Sequence, residues 1–272
     1  MLLGAPTMPN SKDAHASAVH RFLVLGDTGA GKTTQFLTLP GKKFAYLFDP
    51  NALLSLRGYD VDYEEFLPDR LNLNVVSLAR KGDSVTKHQN DLFMDWQKDF
   101  EDKLNSGFFD GYDNILMDSA TTLLDLIMDR ILTINGRPGQ WPQQDDYGPQ
   151  MNVFTNVCRQ LTALGKTVYM TGHLEVRQDD KTKRILRGPM MTGRLKTKVP
   201  LLFSDIFIAD VEADSNGKVN HRFQTVPDRM TTTVRTSIKG LGAFEDVTLD
   251  FKKPLEGQGL GRLLALEKEG KL

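Results

Sequence analysis

Eight consecutive residues, Gly26, Asp27, Thr28, Gly29, Ala30, Gly31, Lys32 and Thr33, have the types and spacing needed to hold a phosphate chain. In a GxxxxGK[ST] pattern the glycines let successive backbone N–H groups curl around an anion, and the helix that follows adds the positive end of its dipole. The pattern assigns Lys32 to the β- and γ-phosphate oxygens and the Thr33 hydroxyl to Mg2+, with Thr34 continuing the cradle into the helix. The chemistry expected is binding of a magnesium–nucleoside triphosphate complex.

Further polar residues are candidates to complete such a site. Asp118 ends the apolar run Ile115-Leu116-Met117, where a carboxylate can hold the metal through water; its competing reading is a cap for the helix beginning near Thr121. Thr171-Gly172-His173 ends another apolar run, so His173 is a candidate γ-phosphate sensor, or a simple capping residue. Hydrolysis needs a group that orients water. Asp49 is the nearest candidate, with a turn residue before Pro50 as the alternative, and Glu175 is the next. Arg235, with Arg229 as a competitor, is a candidate finger reaching a neighbouring subunit's site, against the ordinary reading of a surface arginine. Arg177, Lys181, Lys183, Arg184, Arg187, Arg194, Lys196 and Lys198 form a basic segment opposed by Asp179 and Asp180, which suits contact with nucleic-acid phosphates or is merely a solvated face; it contains no aromatic residue for stacking.

The elements that must position these groups alternate between strand and helix, which predicts an α/β fold with a mostly parallel central sheet flanked by helices. Strands are predicted over residues 20–26, 44–48, 115–117, 167–170, 201–209 and 221–226, and helices over 32–39, 91–104, 122–134 and 151–164. Residues 177–198 read as a loop or ribbon, and the Asp214-Ser215-Asn216-Gly217 turn predicts a late β-hairpin. The expected organisation is a flexible leader over 1–18, one nucleotide-binding domain over 19–250 and a tail over 251–272 that is a short helix or disordered.

Composition bounds the alternatives. A net charge of −1 gives no global field for nucleic acid, so any such contact has to be local. The one cysteine, Cys158, excludes an intrachain disulfide and fits a reducing cytosol. No apolar run of 18 residues occurs, so no membrane span is expected.

From GDTGAGKTTQFLTLPGK and FAYLFDP, through ILMDSATTL, the Asp146-Tyr147-Gly148 segment and TGH, to GPMMTGRLKTKVPLLFSD, the chain resembles the phage nucleotide-binding ATPases with a bare RecA-type core, over roughly residues 20–240. That family includes single-strand-annealing recombinases. The resemblance implies a RecA-like P-loop NTPase using ATP rather than GTP. It implies Lys32, Thr33 and Asp118 on nucleotide and Mg2+, His173 in the sensor position, and Lys32, Asp49, Asp118, His173 and Arg235 as catalytic candidates. It further implies single-stranded DNA as substrate, a homo-oligomeric ring or filament, a single-strand DNA-binding protein as an additional partner, and the cytoplasm of a phage-infected bacterium as location. The chain departs from the family in having Asp49-Pro50-Asn51, with no Glu, where a Glu usually follows the second strand. A nucleotide-dependent scaffold with little turnover and no DNA is the alternative function, and a small-molecule kinase whose lid is the 177–198 segment is a third.

Overall fold

The computed structural model describes residues 19–68, 92–179, 182–213 and 215–268. At its centre is an eight-stranded sheet of order β10-β9-β8-β1-β5-β4-β2-β3. The strands are β1 (Arg21–Gly26), β2 (Lys43–Leu47), β3 (Asp62–Glu65), β4 (Asn114–Asp118), β5 (Thr167–Gly172), β8 (Asp205–Ala213), β9 (Val219–Gln224) and β10 (Phe244–Asp246). From β3 across to β8 neighbours run parallel, and β8, β9 and β10 pair antiparallel, so the late hairpin closes one edge.

The parallel strands are apolar on both faces because helices cover both. Along β1 the alternation of two divides Leu23 and Leu25 from Phe22 and Val24. The first pair packs under α3 (Leu92–Asn105), α4 (Ala120–Ile134) and α5 (Tyr147–Thr162). The second packs under α1 (Lys32–Phe36), α2 (Ala52–Leu56) and α7 (Gly259–Lys268). Helix α3 turns Phe93, Trp96 and Phe100 inward, at the helical spacing read from the sequence, and Trp96 stands edge-on to Tyr46 of β2. Burying each such side chain contributes about 1.5–3 kcal/mol.

Several sequence expectations are corrected. The strand expected over 201–209 starts at Asp205, because Val199–Leu202 forms a 3-10 turn with Pro200 in its first positions, where proline's fixed φ favours helical geometry. The helix expected from 151 begins at Tyr147. Strand β3 (sequence DYEE) and helix α2 were not anticipated, since a polar edge strand lacks an apolar alternation. The 177–198 segment contains a two-stranded antiparallel ribbon, β6 (Leu174–Gln178) with β7 (Ile185–Pro189), followed by the short helix α6 (Leu195–Lys198).

Helix α7 is docked on α1 by polar as well as apolar contacts. The Gln35 amide donates to the Val247 carbonyl and accepts from the Leu260 N–H, and the Gly261 N–H donates to the Thr38 hydroxyl. The proposed leader, residues 1–18, lies outside the described residues, as do residues 269–272. Among the described residues no helix is long and apolar enough to cross a membrane.

Candidate nucleotide site

Parallel pairing brings the carboxyl ends of β1, β2, β4 and β5 to one rim of the sheet, the edge at which open α/β sheets take their ligands. Gly26 closes β1, and residues 27–31 turn directly into α1. Gly31, the residue preceding the helix, has φ of 83°, a region that side-chain-bearing residues rarely adopt. The buried Lys32 folds its ammonium into the loop and donates to the Gly26 and Asp27 carbonyls, both at 2.9 Å. Burial pulls Lys32 below its ordinary pKa, while the charges of Asp118, Asp49 and Asp27 pull it back. From β5 the buried Tyr169 hydroxyl donates to the Lys32 carbonyl at 2.7 Å and anchors the first turn of α1.

Asp118 ends β4 beside this loop. Its Oδ2 accepts from the Thr33 hydroxyl at 2.7 Å and its Oδ1 accepts from the Thr171 hydroxyl. Burial pushes the Asp118 carboxyl up, and the two hydroxyls together with the Lys32 charge oppose that rise. The cap of α4 is Ser119, whose side chain accepts from the Thr122 N–H, so capping does not occupy Asp118. A hydroxyl and a carboxylate in contact at the foot of an anion-binding loop are the oxygen donors that Mg2+ takes. Thr33 and Asp118 would therefore hold that ion.

Asp49 follows β2 and leans over the same rim. Its Oδ1 accepts from Ser119 at 3.1 Å and from Thr122, and its Oδ2 lies 3.8 Å from His173 Nε2. Burial works against the ionised form, but the nearby His173 imidazole and hydrogen bonds from Thr122 and Ser119 outweigh it and hold Asp49 below the usual carboxylate range. His173 is itself positioned by its own N–H, which donates to the Thr121 hydroxyl at 3.1 Å. The structure thus brings together Lys32, Thr33, Asp49, Asp118 and His173, drawn from four separate stretches of chain.

Other candidates fall elsewhere. Arg235 bridges to Ile206, near the start of β8 and hence at the rim opposite the phosphate loop. Its guanidinium donates to the Pro200 carbonyl at 3.0 Å and to the Phe203 carbonyl, which engages it within its own chain. Glu175 pairs with Lys196 of α6 rather than pointing at the rim. Of the basic segment, Arg187 forms an ion pair with Asp210 at 2.8 Å, while Arg177, Lys183, Arg184, Arg194 and Lys198 are exposed; Lys181 lies outside the described residues.

Sequence reasoning missed two residues of this neighbourhood. His221 of β9 reaches across from the hairpin, its Nδ1 3.2 Å from the Ala30 carbonyl. Thr122 joins Ser119 on Asp49. Neither had a local signal, although Thr122 lies within the run ILMDSATTL.

A phosphate-binding loop between the first strand and helix of a mostly parallel sheet, with a strand-end aspartate bonded to its threonine, defines a P-loop NTPase. A protein-family profile described as AAA domain matches residues 19–237, and the chain belongs to that family of P-loop ATPase domains. A search of curated proteins found no match. Domains of this family generally bind ATP with Mg2+.

Proposed function

We propose that the chain hydrolyses Mg-ATP and couples turnover to single-stranded DNA held by the β6–β7 ribbon, in the manner of a RecA-core annealing or recombination protein. The observation that carries this reading is continuity: Asp49 and His173 meet at the rim, and the residue after His173 begins the ribbon.

Bound magnesium supplies positive charge against the triphosphate. Lys32 leaves the carbonyls of its own loop for phosphate oxygens, its ammonium meeting charge that grows toward the transition state. Asp49, held ionised by the Ser119 and Thr122 hydroxyls and the nearby His173 imidazole, accepts a hydrogen bond from the attacking water and sets its line of approach. His173 turns the single Nε2–H between Asp49 and a terminal phosphate. Loss of that phosphate changes what His173 can bond to, and the change passes directly into β6. Arg177, Lys183 and Arg184 on the ribbon meet nucleic-acid phosphates. Assembly into a homo-oligomeric ring or filament belongs to the same reading.

The test is ATP turnover with and without single-stranded DNA, read beside particle mass. Stimulation by DNA, lost in Arg177→Glu/Arg184→Glu while nucleotide affinity is retained, supports the proposal. Turnover indifferent to DNA, with ATP-dependent assembly alone, replaces it with a scaffold. Lys32→Ala, expected to weaken nucleotide binding by about 2–3 kcal/mol, is the control for the site itself.

A further inference from the structure

The ribbon carries cations but no aromatic side chain on which a base can stack. The structure supplies one from a neighbouring loop. Residues 135–146, which join α4 to α5, are gathered on the carboxylate of Asp146, a side chain with no solvent-exposed surface. Asp146 accepts from Arg137 Nη2 through both oxygens at 2.6 and 2.8 Å, from Asn135 Nδ2 at 2.8 Å and from the Gln143 N–H at 2.6 Å. The Arg137 guanidinium beside it holds the carboxyl below the usual range. The loop is therefore tied near its start, through Asn135 and Arg137, and near its end, through Gln143, to one buried group.

Between those ties stands Trp141, 92% exposed, whereas the chain's other tryptophan, Trp96, is fully buried. A rigid indole on a pinned loop binds with little loss of conformational freedom, since two torsions alone remain to be ordered. The base of this loop faces the cationic segment. Gln144, Asp145, Tyr147 and Met151 on one side and Thr192 and Gly193 on the other line a cleft of about 670 Å3.

Exposed cations follow Thr192 and Gly193 along the chain. Arg194 follows Gly193 directly and is exposed, and Lys198 lies one turn further along α6. Arg177 shares a face of the ribbon with Glu175, because the two alternate along β6, and Glu175 is bonded to Lys196 of α6. Arg177, Arg194 and Lys198 thus stand around the same short helix and form no ion pair among the described residues, whereas Arg187 and Lys196 are neutralised by Asp210 and Glu175.

We infer that the Trp141 loop is the base-stacking half of the single-strand surface, and that Arg177, Arg194 and Lys198 are its phosphate-contacting half. The inference rests on the DNA-binding reading above and names where the strand lies. Unpaired bases, rather than duplex, are the occupant, because a stacking aromatic on a loop tip needs an open base face while the cations need only the backbone.

The experiment is titration of the full chain with an oligo-dT strand at low salt, following tryptophan emission and anisotropy of a labelled strand. With Trp96 buried, the exposed indole of Trp141 carries the change, and quenching on binding is expected. Trp141→Ala should weaken the complex roughly 5- to 100-fold, the loss of about one stacked base, with the salt dependence unchanged. Trp141→Phe should stay within a few-fold of the wild type, and Arg177→Glu/Arg194→Glu should weaken binding and flatten its salt dependence. If Trp141→Ala binds like the wild type while the charge reversals still weaken binding, the stacking role is overturned and the DNA reading survives. If Trp141→Ala alters particle mass at unchanged DNA affinity, the loop is a contact between copies and the inference is equally overturned. If the wild type binds no strand at all, both readings fall.

Discussion

His221 Nδ1 lies 3.2 Å from the carbonyl oxygen of Ala30, joining the hairpin at one edge of the sheet to the phosphate loop at its centre. The contact is close enough that a Cβ built on Gly31 would stand 3.1 Å from the same nitrogen. The glycine is thus demanded twice, by its positive φ and by the imidazole above it. His221 is itself fixed by main-chain bonds to Thr248 and Val247, so the loop is braced from a strand that follows it by nearly two hundred residues.

Replacing His221 with Ala removes one hydrogen bond to the loop. The expected result is a roughly fivefold loss of nucleotide affinity, the scale of about 1 kcal/mol for one such bond. Calorimetric titration of nucleotide into folded His221→Ala measures it, and His221→Asn, which keeps a donor, should recover part of the loss. An affinity identical to the wild type in both variants rejects the brace.

Asp49→Asn separates binding from turnover. The amide keeps the size of the side chain and its contacts with Ser119 and Thr122 but loses the charge that orients water. Turnover should fall by about a hundredfold or more while nucleotide affinity changes by no more than a few-fold. Steady-state hydrolysis compared with calorimetric affinity checks this, and a variant with full turnover removes Asp49 from the mechanism.

Asp205 makes a pH-dependent contribution to stability. Burial opposes its charge, but His20, Ser204, the Ser237 N–H and Thr236 hold its pKa at about 2 against an ordinary 3.8. The native chain therefore binds fewer protons than the unfolded one between those values, so this contribution is complete above about pH 4 and is lost as pH falls toward 2. Its size is about 2 kcal/mol. Urea unfolding at stepped pH should show the wild type converging on Asp205→Asn across that window, and a constant gap between the two contradicts the assignment.

Gly261 lies where α7 crosses α1. A Cβ there would come within 2.0 Å of the Thr38 carbonyl oxygen, a backbone atom that cannot swing aside. Gly261→Ala should cost about 2–3 kcal/mol and lower Tm by several degrees, through separation of α7 from α1 rather than through any loss at the nucleotide rim. Calorimetric melting is the measurement, and an unchanged Tm means that the two helices are not held as tightly as the geometry requires.

The phosphate loop was legible because its chemistry is contiguous: eight adjacent residues contain both the cradle and its cation, and a strand and a helix flank them. Asp118 was legible as a strand end, but its freedom from capping was not, since that depends on Ser119 taking the cap. The strand expected over 201–209 was placed too early because its apolar residues continue backward through Leu201 and Leu202, while the backbone preference of Pro200 turns that stretch into a helical coil. The basic segment looked uniform along the chain, yet Asp210 and Glu175, 23 and 21 residues away from Arg187 and Lys196, decide which of its cations remain open.

The order of residue types was enough to establish the α/β layering and the anion-binding turn, because both follow from local periodicity and from backbone freedom at glycine. The meeting of Asp49, Thr122 and His173, the reach of His221 to Ala30 and the isolation of Arg235 were decided by tertiary structure. Those depend on which strands lie side by side and on which rim each one ends, and pairing between segments a hundred residues apart leaves no trace in either segment taken alone.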